Sequence, residues 1–332
     1  RNILYAIDLA ESYFDQNRWD DVTAILEPFY DDGLVNYRYW YLLAAALFKN
    51  GNHAGALEYI EKSLSITDCD RDVNIIAAEI LAKNGRIQDA LKLIRKTYHD
   101  YPNDLKVIDV AVDINLKAQL FNDALTILNQ ISVEPSERLN VIKVDLIQKL
   151  YGLDPAVKLT INLLDKDPQN VELLTKLAHY EFEKGDWKKA AEDAKKALKL
   201  DPDNHDLMLL LGKIYYRDGQ LDKATDCYSW LITKSPKDIN LYLDLARIYI
   251  DRKEETQALE IYREATRIAP ENPHVYYEAA MLLKACKDYE GAEVMLQKAA
   301  ALAPNDIQIH RQLSGIIAIN LLHSPQEVIR KR

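Results

Sequence analysis

The chain has 332 residues, 48% hydrophobic and 28% charged, ordinary proportions for a folded protein that buries a core. Its formal net charge of −10 argues against bulk electrostatic binding to nucleic acid or to an anionic membrane. No apolar run approaches the roughly 18 residues that a bilayer span needs, so direct membrane insertion is not expected of this stretch.

Cys69, Cys227 and Cys286 are odd in number, far apart and in no CxxC arrangement. They suit free thiols and lean toward a reducing, cytoplasmic setting. The chain starts at Arg1 with no charged-then-apolar leader, and reads as a piece of a longer or processed polypeptide.

Internal spacing dominates the pattern. Ala56, Ala90, Ala124, Ala156, Ala190, Ala224, Ala258 and Ala292 recur every 34 residues, apart from one step of 32 between Ala124 and Ala156. Pro168, Pro202, Pro236, Pro270 and Pro304 keep the same spacing of 34, and Pro102 joins them once a two-residue deletion near residue 136 is allowed. The two ladders set unit starts near residues 3, 37, 71, 105, 137, 171, 205, 239 and 273, with a tenth unit opening at 307.

Residues 205–238 show what one unit builds. Met208, Leu211, Gly212 and Tyr215 recur at helical spacing and predict one face of a first helix. "DGQ" at 218–220 ends it, with Gly219 free to adopt a left-handed cap. Leu221, Ala224, Tyr228 and Leu231 form the apolar face of a second helix, which Pro236 closes because proline cannot continue it. The small Gly212 and Ala224 suit a place where two helices approach too closely for a large side chain.

At these residues the sequence resembles the tetratricopeptide repeat family. The segment 242–270 supplies Tyr242, Leu245, Ala246, Tyr249, Ala258, Tyr262, Ala265 and Pro270 in the family's order; 174–202 supplies Leu174, Leu177, Ala178, Gly185, Trp187, Ala190, Ala197 and Pro202. The resemblance covers essentially the whole chain. It implies an all-α, right-handed α-superhelix, or solenoid, of about nine helix–turn–helix repeats plus a C-terminal partial repeat or cap.

Some units depart from the pattern. The first has Val22 in the alanine slot and Leu34 in place of proline; the fifth has Lys143 where leucine is expected and Pro155 opening its second helix. Lys143 and the adjoining deletion predict looser packing and a kink near 133–160. The expected organisation is therefore 3–136 for four N-terminal repeats, 137–170 for a divergent repeat, 171–306 for repeats six to nine, and 307–332 for the partial repeat or cap. "LLHSPQEVIRKR" at the end lacks a second-helix pattern.

The resemblance also implies that the fifth, ninth and twelfth places of each first helix line a concave groove. In repeats one to five these places carry Glu11, Glu79, Asp109, Asp113 and Asp145, with Phe14, Tyr41 and Phe48. In repeats six to ten they carry Lys213, Arg247, Lys284 and Arg311, with Phe182, Tyr216 and Tyr277, and Arg217 lies at the edge. The second and thirteenth places add Arg38, Lys49, Lys83, Lys106, Lys117, Arg138 and Lys149 to the acidic arm, and Glu172, Glu183, Asp206 and Asp251 to the basic one. A C-terminal groove of this kind suits an acidic or carboxylate-ended peptide. The family's chaperone-tail clamp is not reproduced, since Leu209 precedes Lys213.

Trp230 stands on the second helix where most other repeats place a polar residue. It reads either as packed within its own repeat or as an anchor for a partner, or for a homodimer, on the convex face.

No phosphate-binding loop, HExxH, GxSxG or EF-hand motif occurs, the seven histidines are scattered, and neither a metal nor a cofactor is implied. His274 and His310 sit near equivalent places of adjoining units and are the one pair that could share a site. The leading expectation is a non-enzymatic scaffold for protein–protein interaction. The alternative is a recognition arm of a longer polypeptide whose enzymatic or membrane-export domain lies outside this stretch. Reading of single-stranded RNA is disfavoured by the acidity and the repeat type.

Overall fold

The computed structural model describes residues 3–30, 36–67 and 69–323; Leu34 and residues 324–332 of the closing segment lie outside them. The described regular structure is all helical, nineteen α-helices in sequential antiparallel pairs with one 3-10 turn at Glu27–Phe29. Among the described residues no helix is long and apolar enough to cross a membrane. Contacts divide the chain into two units, Arg1–Leu159 and Thr160–Arg332.

In the first unit the first helices are α1 (Ile3–Asp15), α3 (Tyr37–Lys49), α5 (Arg71–Lys83), α7 (Leu105–Lys117) and α9 (Glu137–Tyr151). Their partners are α2 (Trp19–Leu26), α4 (His53–Ile66), α6 (Ile87–Asp100) and α8 (Phe121–Gln130). Helix α10 (Leu153–Leu164) contains the division. In the second unit the first helices are α11 (Val171–Lys184), α13 (His205–Arg217), α15 (Ile239–Asp251), α17 (Pro273–Ala285) and α19 (Ile307–His323). They alternate with α12 (Trp187–Leu200), α14 (Leu221–Lys234), α16 (Glu255–Ile268) and α18 (Tyr289–Leu302). Every first helix begins at the residue predicted from the ladders.

A third ladder explains why they begin there. Asn36, Asp70, Asp104, Ser136, Asn170, Asn204, Asp238, Asn272 and Asp306 each precede a first helix, and each side chain accepts a hydrogen bond from a backbone N–H of its first turn. A helix of about a dozen residues is marginal alone, and satisfying an orphan N–H at its start offsets part of that weakness. The turn after each first helix needs a left-handed residue. Gly219 supplies it at φ +74°, as expected, and Lys253 and Lys287 take the same conformation at +61° and +65° without glycine's freedom.

Close approach of the paired helices rests on small residues. All eight members of the alanine ladder are 0% exposed, as is Val22 in the same slot of the first repeat. The facing place on the first helix holds Ala10, Ala44, Ala78, Val112, Val144, Ala178, Gly212, Ala246 and Ala280, all buried. At Gly212 an added Cβ would meet the Tyr228 ring at 3.1 Å and the Cys227 Cβ at 3.3 Å. The first helices are buried more widely than one stripe requires. In α13, Leu207, Leu210 and Ile214 are buried beside Leu211 and Tyr215, because a first helix packs against both its own partner and the neighbouring repeat.

Neighbouring repeats are also pinned by polar contacts. The Tyr242 and Tyr276 hydroxyls donate to the Pro236 and Pro270 carbonyls at 3.1 and 3.2 Å, so the proline ladder supplies acceptors as well as helix stops. Lys143 is half-buried, and its ammonium donates to the Leu128 carbonyl near the end of α8 at 3.3 Å. Burial lowers its pKa.

Two consequences are measurable. Ala258→Leu should lower stability by about 1–3 kcal/mol in urea unfolding, since the helices cannot part locally to admit the side chain; an unchanged midpoint would mean that the ladder is not a packing constraint. Asp104 gives the second. Burial alone would raise its carboxyl, but the Val107 and Lys106 N–H groups and the Arg71 guanidinium outweigh it and hold the group below its usual value of 3.8. A depressed carboxyl contributes stability above its unfolded pKa and loses it as pH falls through the folded one. Asp104→Ala should therefore cost about 1–2 kcal/mol at pH 7 and progressively less below about pH 3.8. An equal cost at pH 7 and pH 2.5 would contradict this.

Candidate partner-binding groove

The stripe of α13 opposite the packed residues carries Lys213, Tyr216 and Arg217. Arg247 of α15 joins them, and together with Phe182, Tyr228, Asp244 and Ile248 they line one pocket of about 250 Å³. Phe182 and Lys213 also border a second pocket of about 400 Å³ with His179, Glu183, Asp206 and Leu209. The two pockets share Phe182 and Lys213 as walls, and their linings come from α11, α13, α14 and α15.

The cations of these pockets differ in their engagement. Lys213 and Arg217 make no hydrogen bond or ion pair with the described residues, while Arg247 makes only a long contact of 3.4 Å with Asp244. The Tyr216 hydroxyl donates to Asp251 at 2.6 Å, so that carboxylate is occupied by a phenol. Desolvation by its surroundings holds His179 below its usual pKa, with Lys213 adding to the effect and Glu183 and Asp206 opposing it.

Other predicted residues lie apart from this pocket. Tyr277 lines a separate pocket of about 250 Å³ with His274, Glu278 and Gln308, and its hydroxyl accepts from the Gln308 amide at 2.8 Å. Lys284 donates to Gln312 at 2.9 Å, and Arg311 is exposed. His274 lies 3.7 Å from Glu278 while His310 meets the Pro304 carbonyl at 3.0 Å, so each has its own partner. Among the described residues no three His, Cys, Asp or Glu side chains are placed to hold a metal ion.

In the first unit, Phe14 and Tyr41 border a pocket of about 590 Å³ with Glu11, Asp72 and Lys106. Their ring centroids are 6.3 Å apart, and burial, with Asp72, Asp70 and Glu11 adding, pushes the Tyr41 phenol up to about 12. Phe48 instead packs on His53, 5.3 Å between centroids. The acids here are answered from within: Arg38 pairs with Glu11, and Arg138 bridges Asp109 at 2.8 Å and Asp113.

Both arginines occupy the second place of a first helix and reach the ninth place of the preceding repeat. In the second unit the corresponding second place holds Asn240 opposite Lys213 and His274 opposite Arg247. The place that brings an arginine onto the acids of the first unit holds the uncharged Asn240 opposite Lys213, so no counter-charge reaches Lys213 from there.

Sequence reasoning missed the pocket floor. Tyr228 belongs to the buried face of α14, yet it reaches the groove and lines the same pocket as Asp244. Burial, then Asp244, raises its pKa far above the usual tyrosine value. The same pairing recurs one repeat later, where Tyr262 is raised to about 12 by burial and then Glu278. The legible signal is a tyrosine followed sixteen residues later by an acid, in both repeats.

Trp230 is partly buried beside α13. Its ring lies 5.5 Å from that of His205, and the Lys234 ammonium sits 5.3 Å from its centroid.

Two family models, each described as tetratricopeptide repeat, match residues 181–229 and 252–314, and residues 7–72 and 219–273. Among solved structures, a tetratricopeptide repeat protein from Parabacteroides merdae is similar at 15% identity, over 85% of this chain and 98% of that one, with a TM-score of 0.40. MamA from Desulfovibrio magneticus RS-1 is 16% identical over 51% of this chain and 96% of its own, with a TM-score of 0.46. YrrB, described as having an unusual peptide-binding site, is 18% identical over 58% and 96%, with a TM-score of 0.45. No curated protein matches the chain. With helix pairs starting on every predicted residue and family models matching in both units, the chain belongs to the tetratricopeptide repeat family, whose members generally mediate protein–protein interactions.

Proposed function

We propose that the second unit binds an acidic segment of a partner protein along α11, α13 and α15. The observation that carries this reading is the unpaired state of Lys213 and Arg217 beside Arg247, on a pocket walled by Phe182, Tyr216 and Tyr228. A cation without a partner at a groove can form charge-assisted hydrogen bonds with carboxylates, and the rings offer rigid contact area at little entropic cost. Asp244 at the floor disfavours burying a second anion there, so the acidic side chains would engage the rim while an apolar or aromatic neighbour fills the pocket. Arg311, Lys284 and Tyr277 extend the same chemistry further along the unit.

The first unit is a weaker candidate because Arg38 and Arg138 are taken up by Glu11, Asp109 and Asp113, although Phe14 and Tyr41 leave it an aromatic pocket. Trp230 fits best as a packing residue of repeat seven, held by His205 and Lys234. In this reading the divergent repeat at 137–170 separates two functional arms.

The test is selection from a random peptide library on immobilised protein. Wild type should enrich Asp- and Glu-containing peptides, and a selected peptide should weaken about tenfold or more as salt rises from 50 to 500 mM. Lys213→Glu with Arg217→Glu should lower its affinity by roughly 10–100-fold at preserved helicity, while Arg138→Glu leaves it unchanged. Enrichment without acidic bias, or an unaffected double variant, would refute the proposal.

A further inference from the structure

Repeat six breaks the pattern of its neighbours at two buried places. The eleventh place of the first helix holds Tyr215, Tyr249 and Leu283 in repeats seven to nine, but Glu181 in repeat six. The twenty-third place, on the second helix, holds Cys227, Ile261 and Met295 in those repeats, but Asp193 in repeat six. Both acids are inside the protein, at 6% and 7% exposure. The two carboxyls interact directly across α11 and α12, and the Glu181 Oε2 is buried with no donor supplied to it.

Two carboxylates cannot both be ionised in such contact without a large cost in charge repulsion and desolvation. The surroundings decide which one keeps the proton. Asp193 accepts a charge-assisted hydrogen bond from the Lys196 ammonium at 2.6 Å. Glu181 has no such partner. Asp186 in the turn and Lys189 on α12 act on it at longer range and with opposite sign, and Lys195 is turned away to the Tyr215 ring at 5.4 Å. Helix α13 packs Leu207, Leu211 and Tyr215 into the same apolar core. Glu181 is therefore the protonated member, donating to Asp193.

We propose that Glu181 and Asp193 form a proton-holding latch between α11 and α12: one shared proton keeps the pair closed, and its loss to solvent loosens repeat six. Phe182, the next residue along α11, is the wall common to both groove pockets, so the latch also governs the groove's geometry. That last link rests on the binding reading above; the latch itself does not.

The direction with pH follows from linkage. Burial, then Asp193, raises the Glu181 carboxyl from its usual 4.5 to about 7, so the folded state holds a proton that the unfolded chain releases earlier. Closure is complete below about pH 4.5, weakens as pH rises toward about 7, and changes little above that.

Hydrogen exchange on the full chain, corrected for intrinsic rates, tests this at pH 5.5 and pH 8. Protection of α11 and α12 should fall on the order of tenfold to a hundredfold at the higher pH, relative to α15 and α16. Glu181→Gln, which keeps the hydrogen bond but cannot ionise, should abolish that fall. No fall in wild type, or the same fall in the variant, overturns the latch. A carbon-13 carboxyl titration of wild type gives a reading independent of any variant: a Glu181 midpoint near 7 supports the latch, and one near 4.5 overturns it. Loss of peptide affinity with pH in wild type but not in Glu181→Gln extends the latch to the groove; a latch without that effect counts against the groove link alone.

Discussion

The fold depends on how closely two short helices can approach. None of these helices is long enough to be stable alone, so each repeat stands or falls on the area that its pair buries. The alanine ladder on the second helices and the facing small residues on the first set that distance, and their complete burial shows how little room is left. Fixing the pair also fixes which stripe of the first helix turns away from it. A buried scaffold face thereby produces a regularly spaced, solvent-facing row of side chains whose identity is free to vary.

That freedom is used differently in the two units. In the first, arginines at the second place of a helix fold back onto acids of the preceding repeat. In the second, the same place carries Asn240 and His274 opposite Lys213 and Arg247, and no ion pair from that place reaches either cation among the described residues. The difference is a matter of two or three side chains on an unchanged backbone pattern. It alters the chemistry of the surface without touching the packing that holds it.

Helix starts, turns and the close-packed small residues were legible because each obeys a strict period and a strong local rule. The stripe bearing Lys213, Tyr216 and Arg217 was legible for the same reason: it is what remains once the packed face is assigned. Pairing was not. Summed charges suggested that the acidic arm is neutralised, but only geometry identifies Arg138 as the group that takes Asp109 and Asp113. Tyr228 was hidden because a long side chain can begin in the core and end at the groove. Glu181 and Asp193 were hidden because they stand twelve residues apart on different helices, and an acid in a buried slot looks like surface until the period is read place by place. The cap ladder from Asn36 to Asp306 obeys the same period and is legible by that same reading.

One face of each first helix builds the scaffold, and the opposite face of α11, α13 and α15 is the proposed partner surface. Amide chemical-shift mapping during titration of an acidic peptide tests it most directly. The account predicts shifts clustered at Phe182, Lys213, Tyr216, Arg217 and Arg247, with α12, α14 and α16 silent. Shifts concentrated on those second helices, or in the first unit, would contradict it.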